Sequence, residues 1–197
     1  EIRLSLVGSE MCIRDRSSYA LLADELRRGH YVLDLSKFQK EIIYNLRKMK
    51  VGDIAQLADV SEGLENAIKN AANSCNNVVD FVNIVKCKRY TQTRIQRILI
   101  YALLGITSEK MMTSKKTTPY ARILGFNEKG KKLISQIVKH NKRAQIVTSV
   151  KKYMDESKNK ALKEMLETDI FATNVYTLGY ESDSWSNLDY TNKIITM

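Results

Sequence analysis

Apolar residues recur at helical spacing through the first half of the chain. Tyr19, Leu22, Ala23 and Leu26 share one side of a helix over 17–28, which Gly29 closes as a left-handed cap. Phe38, Ile42, Ile43 and Leu46 predict a second helix over 35–49, broken at Gly52, after which Asp53 opens a short helix to Ala58. Ser61 reads as the N-cap of the next helix, 62–72, whose inner stripe is Leu64, Ala67, Ile68 and Ala71. Residues 73–77 are polar loop and 78–85 a further helix. A last helix from about Thr91 to Gly105 buries Ile95, Ile98, Leu99 and Ala102. Short helices on short connections predict an orthogonal bundle over 17–110.

The pattern then changes. Residues 107–118 are rich in Lys and Thr, show no period and end at the single proline, Pro119, so they read as a break. Tyr120–Phe126 reads as a strand. Asn127 caps a helix with Leu133, Ile134, Ile137 and Val138 turned inward, and 145–150 reads as a second strand. That order makes one β-α-β unit, its strands parallel. A Lys-rich linker leads to a helix over 159–173, and 179–197 reads as a polar tail on the surface. The predicted fold is mainly α: a helical bundle, then a small β-α-β unit plus C-terminal helix over 118–178.

Charge adds a partner class. The 197 residues carry 32 Lys and Arg against 22 Asp and Glu, a net charge of +10, which suits a polyanion. Leu6–Arg16 resembles the translation of a transposon-type sequencing adapter, so residues 1–16 are expected to be non-native and to pack on nothing. The natural chain would then begin near Ser17 with its true start missing. Arg3, Arg14 and Arg16 balance Glu1, Glu10 and Asp15 there, so the whole excess lies beyond. The longest uncharged apolar run, Ile98–Ser108, is too short for a bilayer, which takes about 20 residues. Cys75 and Cys87 form no CxxC pair and lack a neighbouring His, so they read as reduced thiols of a cytoplasmic protein, and no metal site is expected.

The candidate chemistry lies in Lys88-Arg-Tyr-Thr-Gln-Thr-Arg-Ile-Gln-Arg97. Tyr90, Arg94, Arg97 and Tyr101 form one helical stripe, and no acid occurs between Phe81 and Ser108, where Lys86, Lys88, Arg89, Arg94 and Arg97 all lie. Such cations suit a phosphate backbone, with Tyr90 placed to stack an unpaired base. A merely solvated basic face is the other reading of the same residues. No nucleophile–base pair, carboxylate dyad or Gly-rich phosphate loop stands out. His30 and His140 are far apart and read as surface residues, so no catalytic residue is assigned. Asp169 shares an apolar stripe with Leu162, Leu166 and Thr173, and a buried carboxylate needs a cation; Arg94 or Arg97 is the expected partner.

Four segments occur in one order: Asp59-Val-Ser-Glu-Gly-Leu-Glu-Asn66, the Lys88–Arg97 run, Leu124-Gly-Phe-Asn-Glu-Lys-Gly130 and Asp169-Ile-Phe-Ala-Thr173. From about Lys40 onward the series resembles the C-terminal half of the bacterial tRNA(Met) cytidine acetate ligases. The resemblance implies ATP as cofactor and admits Mg, with acetate activated as acetyl-adenylate and the wobble cytidine of elongator tRNA(Met) acetylated. It further implies a fragment lacking the N-terminal α/β nucleotide-binding domain and its HxGH-type motif. On that reading Lys86, Lys88, Arg89, Tyr90, Arg94 and Arg97 bind RNA, while Ser61, Glu62 and Asn66 face the ATP domain. Ser61 with Glu62 and Glu65 equally reads as a capped helix start. A free-standing basic nucleic-acid-binding module, or a protein-interaction domain, fits the charge as well.

Overall fold

A computed structural model describes residues 16–32, 34–61, 63–140, 145–182 and 186–196. Both the adapter-like segment up to residue 15 and Glu62 lie outside that range. In the first part, α1 (Arg16–Arg27) is followed by a 3-10 turn (Leu35–Phe38) that runs into α2 (Gln39–Lys48). Then come α3 (Val51–Ala55), α4 (Leu64–Ser74), α5 (Val78–Val85) and α6 (Gln92–Leu104). Ile42, Leu46, Leu64, Ile68, Phe81, Ile95 and Leu99 are each at most 1% exposed and form one core. Burying one such side chain contributes about 1.5–3 kcal/mol. Gly105 ends α6 at φ 64, the left-handed cap that its position demands.

Two cations lock α2 to α4 reciprocally. Arg47 of α2 donates to the carbonyls of Ala72 (2.7 Å) and Cys75 (3.0 Å) at the end of α4. Lys69 of α4 donates to those of Leu46 (3.2 Å), Arg47 (2.6 Å) and Met49 (2.6 Å) at the end of α2. Each supplies donors to helix-end carbonyls that have no partner within their own helix, where the dipole also favours positive charge.

The second part holds α7 (Ser108–Lys116), β1 (Tyr120–Arg122), β2 (Gly125–Phe126), α8 (Glu128–His140), β3 (Gln145–Val147), α9 (Val150–Glu156), α10 (Lys160–Thr177), α11 (Leu188–Thr191) and β4 (Ile195–Thr196). β1 and β3 pair in parallel with Tyr120 opposite Gln145 and Arg122 opposite Val147, and α8 makes the crossover. The expected β-α-β unit is there. A second core forms from Val147, Val150, Leu166 and Ile170, with Tyr120, Tyr153 and Met154 packed against it.

Several expectations are corrected. Residues 107–118 are not a break: Thr107 caps α7 by accepting from the Lys110 amide, and α10 packs on it. The single strand expected over 120–126 is two, because the chain changes partner at Leu124 and β2 pairs in parallel with β4. The segment read as a polar tail therefore carries α11 and β4. The second strand stops at Val147, and the Lys-rich linker is α9, capped by Ser149. Gly52 lies inside α3 and does not break the chain there. The stripe expected inward on α8 is solvent-facing: Leu133 is 56% and Val138 58% exposed.

Asp169 is also corrected. It does not meet Arg94 or Arg97, nor is it buried; Arg122 Nη1 reaches it at 3.0 Å and the Tyr120 hydroxyl donates to it at 3.2 Å. The second arm of Arg122, Nη2, pairs with Asp189 of α11. Helical periodicity places Asp169 beside Leu166 and Ile170, but it sits at the rim of that stripe, where a strand residue reaches it first. Among the described residues no helix is long and apolar enough to cross a membrane, and no cluster of His, Cys, Asp or Glu could hold a metal ion.

Candidate nucleic-acid interface

The basic edge is built where α5 hands over to α6. Lys86 caps the end of α5, and a tight turn follows in which the Cys87 and Tyr90 backbones exchange hydrogen bonds (3.2 and 3.1 Å). That turn puts Lys88 and Arg89 at its exposed tip. Neither Lys86 nor Lys88 has a side-chain partner among the described residues, and Arg89 leans only over the Tyr90 ring, 5.5 Å from its centroid. Thr91 starts α6 without a side-chain cap, and no acid lies in the first turn. The N–H groups of that turn point away from the helix and suit an anion.

Arg94 and Arg97 are engaged with residues 59 and 61. Arg94 donates through Nε (3.1 Å) and Nη2 (2.8 Å) to the carbonyl of Asp59, and Nη2 also reaches Ser61 Oγ at 3.2 Å. Arg97 pairs with the Asp59 carboxylate at 2.9 Å, and that hydrogen bond holds its guanidinium above the usual range. Asp59 itself stands in the left-handed region, φ 63, a conformation that Asp tolerates better than most residues. Together the two arginines fasten Asp59 and Ser61 to the face of α6.

Ser61 consequently is not the helix cap expected of it. Its hydroxyl lies on Arg94, while Gly63, at φ 86, stands at the start of α4. Asn66 is exposed and donates to Glu65 (3.2 Å). Tyr90 is half-buried against the bundle core and flanked by Arg89 and Arg94, the latter at 5.3 Å, so cations already occupy its surroundings. The structure thus brings Lys86, Lys88, Arg89 and the open turn of α6 together at one edge, and joins Arg94, Arg97 and Ser61 around Asp59. Sequence reasoning missed Asp59, Arg122 and Asp189. Only for Asp59 was there a local signal, an Asp followed shortly by Gly ahead of a helix.

The chain belongs to the HIGH nucleotidyl transferase family, whose model matches residues 11–190. It is 38% identical over 193 residues to a tRNA(Met) cytidine acetate ligase of Thermoanaerobacter pseudethanolicus, covering 98% of this chain and 46% of that protein. A second ligase of that name, from Acetivibrio thermocellus, is 38% identical over 92% of this chain and 44% of its own length. The crystal structure of apo Thermotoga maritima TmcAL superposes with a TM-score of 0.85 at 25% identity, over 98% of this chain and 49% of that one. The form of that protein bound with alpha-thio ATP gives 0.83 at 26%, over 93% and 46%. The chain spans about half the length of the curated relatives it matches.

Proposed function

We propose that this chain is the C-terminal, tRNA-binding part of an ATP-dependent tRNA(Met) cytidine acetate ligase. The whole enzyme would activate acetate as acetyl-adenylate and acetylate the wobble cytidine of elongator tRNA(Met). The observation that carries this reading is the 38% identity running along 98% of the chain to a relative of that name. Within it, Lys86, Lys88 and Arg89 meet phosphate, seated beside the open first turn of α6. Arg94 and Arg97 are positioning residues that hold Asp59 and Ser61, and Ser61 and Asn66 face the nucleotide-bearing half. For ATP, which the Thermotoga relative holds as its alpha-thio analogue, the residues here fit the phosphates alone: an uncapped helix start with two cations, and no Gly-rich loop. ATP, with Mg at its phosphates, would be held mainly by the half of the relatives' length that this chain does not span.

The test is binding of a tRNA(Met) transcript to the chain across a salt series. Weak, salt-sensitive binding is expected, and replacing Lys88 and Arg89 by Ala should lower the log–log salt slope by about 0.7 for each single-strand phosphate no longer neutralised. A double variant that stays folded and binds with unchanged affinity and slope would move the RNA face elsewhere. Acetate-dependent release of pyrophosphate from ATP by this chain alone would place the chemistry within it, against the assignment made above.

A further inference from the structure

Many cations of this chain serve the fold. Arg47 and Lys69 close helix ends, Lys37 pairs with Glu181, and Arg122 holds two carboxylates. Arg94 and Arg97 are taken up by Asp59 and Ser61. Residues 128–163 differ. They carry eleven Lys and Arg against three Asp and Glu, an excess of eight in a chain whose net charge is +10. The side chains of Lys129, Lys131, Lys132, Lys139, Lys151 and Lys152 are all exposed, and none has a hydrogen-bond, ion-pair or ring partner among the described residues.

The topology brings most of these to one end of the β-α-β unit. β1 and β3 are parallel and finish side by side, with Arg122 opposite Val147. The crossover helix α8 therefore starts at that end and runs back, and its opening residues include Lys129, Lys131 and Lys132. At the same end β3 leads through Ser149 into α9, whose first turn holds Lys151 and Lys152. β4, paired with β2 just ahead of α8, brings in Lys193, which lines a cleft with Arg122, Val147 and Val150. The neighbouring acid Asp189 is already taken by Arg122. Ligands of parallel sheets gather at such strand ends. Like charges crowded there repel one another, and a polyanion relieves the repulsion. Lysine is a flexible point charge without the planar fork of arginine, so this group suits repeating phosphates better than one shaped anion.

We infer that the strand-end side of the β-α-β unit is a second phosphate-contacting face for a bound RNA, and the more highly charged of the two. The α5–α6 edge is left with Lys86, Lys88 and Arg89, because Arg94 and Arg97 are engaged at Asp59. The inference rests on the RNA-binding reading above and adds a contact on the other core.

The test uses the full chain and the tRNA(Met) transcript across a salt series. Replacing Lys131, Lys132, Lys151 and Lys152 by Ala should lower the log–log salt slope by about 3, at roughly 0.7 for each single-strand phosphate released. That is twice the change expected of Lys88 and Arg89. A charge-matched control, Lys40, Lys48, Lys115 and Lys116 replaced by Ala, should leave the slope nearly unchanged. In the wild type, lysine acetylation by N-hydroxysuccinimidyl acetate, read by mass spectrometry, should show Lys131, Lys132, Lys151 and Lys152 protected by tRNA while Lys40 and Lys116 react as before. This readout stands even where the variant fails to fold. An equal fall of slope in the control would assign the effect to net charge and overturn the inference, as would strand-end lysines that stay reactive. Binding that responds only to Lys88 and Arg89 rejects this face alone. A wild-type chain that does not bind tRNA rejects the RNA-binding reading, and this face with it.

Discussion

The two cores of this protein are stapled by opposite chemistries. In the bundle, Arg47 and Lys69 donate to backbone carbonyls at helix ends. The β-α-β part instead gathers β1, α10 and α11 through one arginine held by two carboxylates, Asp169 and Asp189. The difference follows from core size. The bundle buries residues from five helices, α2 to α6, and uses its cations as finishing caps. The second core has four buried side chains, so the Arg122 clamp carries a larger share of what orders it. A small apolar core cannot by itself offset the entropy of ordering several short elements.

The largest expected effect is in the bundle. Phe81→Ala, at a side chain 0% exposed, should cost about 3–5 kcal/mol and lower the melting temperature of the whole chain. Arg122→Leu comes next, at about 3 kcal/mol, because Asp189 would be left buried without its cation. Hydrogen exchange should show that destabilisation confined to β1, β3 and α11 while α2, α4, α5 and α6 stay protected. Equal acceleration in both regions would erase the contrast. Lys69→Met removes a cap, not a buried charge, and should cost about 1 kcal/mol in urea unfolding.

The alkaline limb separates the regions further. Burial, and then the charge and hydrogen bond of Asp169, push the Tyr120 phenol from 10.0 up to about 12. The folded state therefore keeps that proton more tightly than the unfolded one. Its contribution is complete below pH 10 and is lost as the pH rises through about 12. Tyrosinate absorbance alongside amide exchange should show the β-α-β part loosening first, and Tyr120→Phe should remove this dependence. The smallest effect is on the Lys88/Arg89 pair: their replacement by Ala should leave the melting temperature unchanged, as exposed side chains without a structural partner allow.

Periodicity makes the bundle legible. The stripes of α2, α5 and α6 are strong enough to be read locally, Gly105 marks the end of α6, and Asn127 and Asn159 accept from the first turns of α8 and α10. By contrast α7, Ser-Glu-Lys-Met-Met-Thr-Ser-Lys-Lys, has almost no apolar stripe and is held by neighbours, so its own residues conceal it. The stripe of α8 is apolar, as its spacing says, yet it does not face inward, because periodicity shows that a face exists and not what covers it. Of the candidate site, the basic turn at Lys88 and Arg89 is visible as composition. The engagement of Arg94 is not: its acceptor is the backbone carbonyl of Asp59, a group that every residue carries. The Arg122–Asp189 pair joins positions far apart in the chain, and no local pattern announces it.

The pairing of β2 with β4 also orders events in time. The buried residues of the bundle core end at Ala102, with Leu103 and Val175 as its flanking contacts beyond that point, whereas the second sheet waits for Ile195 and Thr196. At the roughly 5–20 residues per second of synthesis, that interval is on the order of ten seconds. A nascent chain would therefore display its cationic edge well before the β2–β4 sheet exists. Fusions or truncations at the C-terminal end should act on the late-closing sheet and spare the early-folding helices.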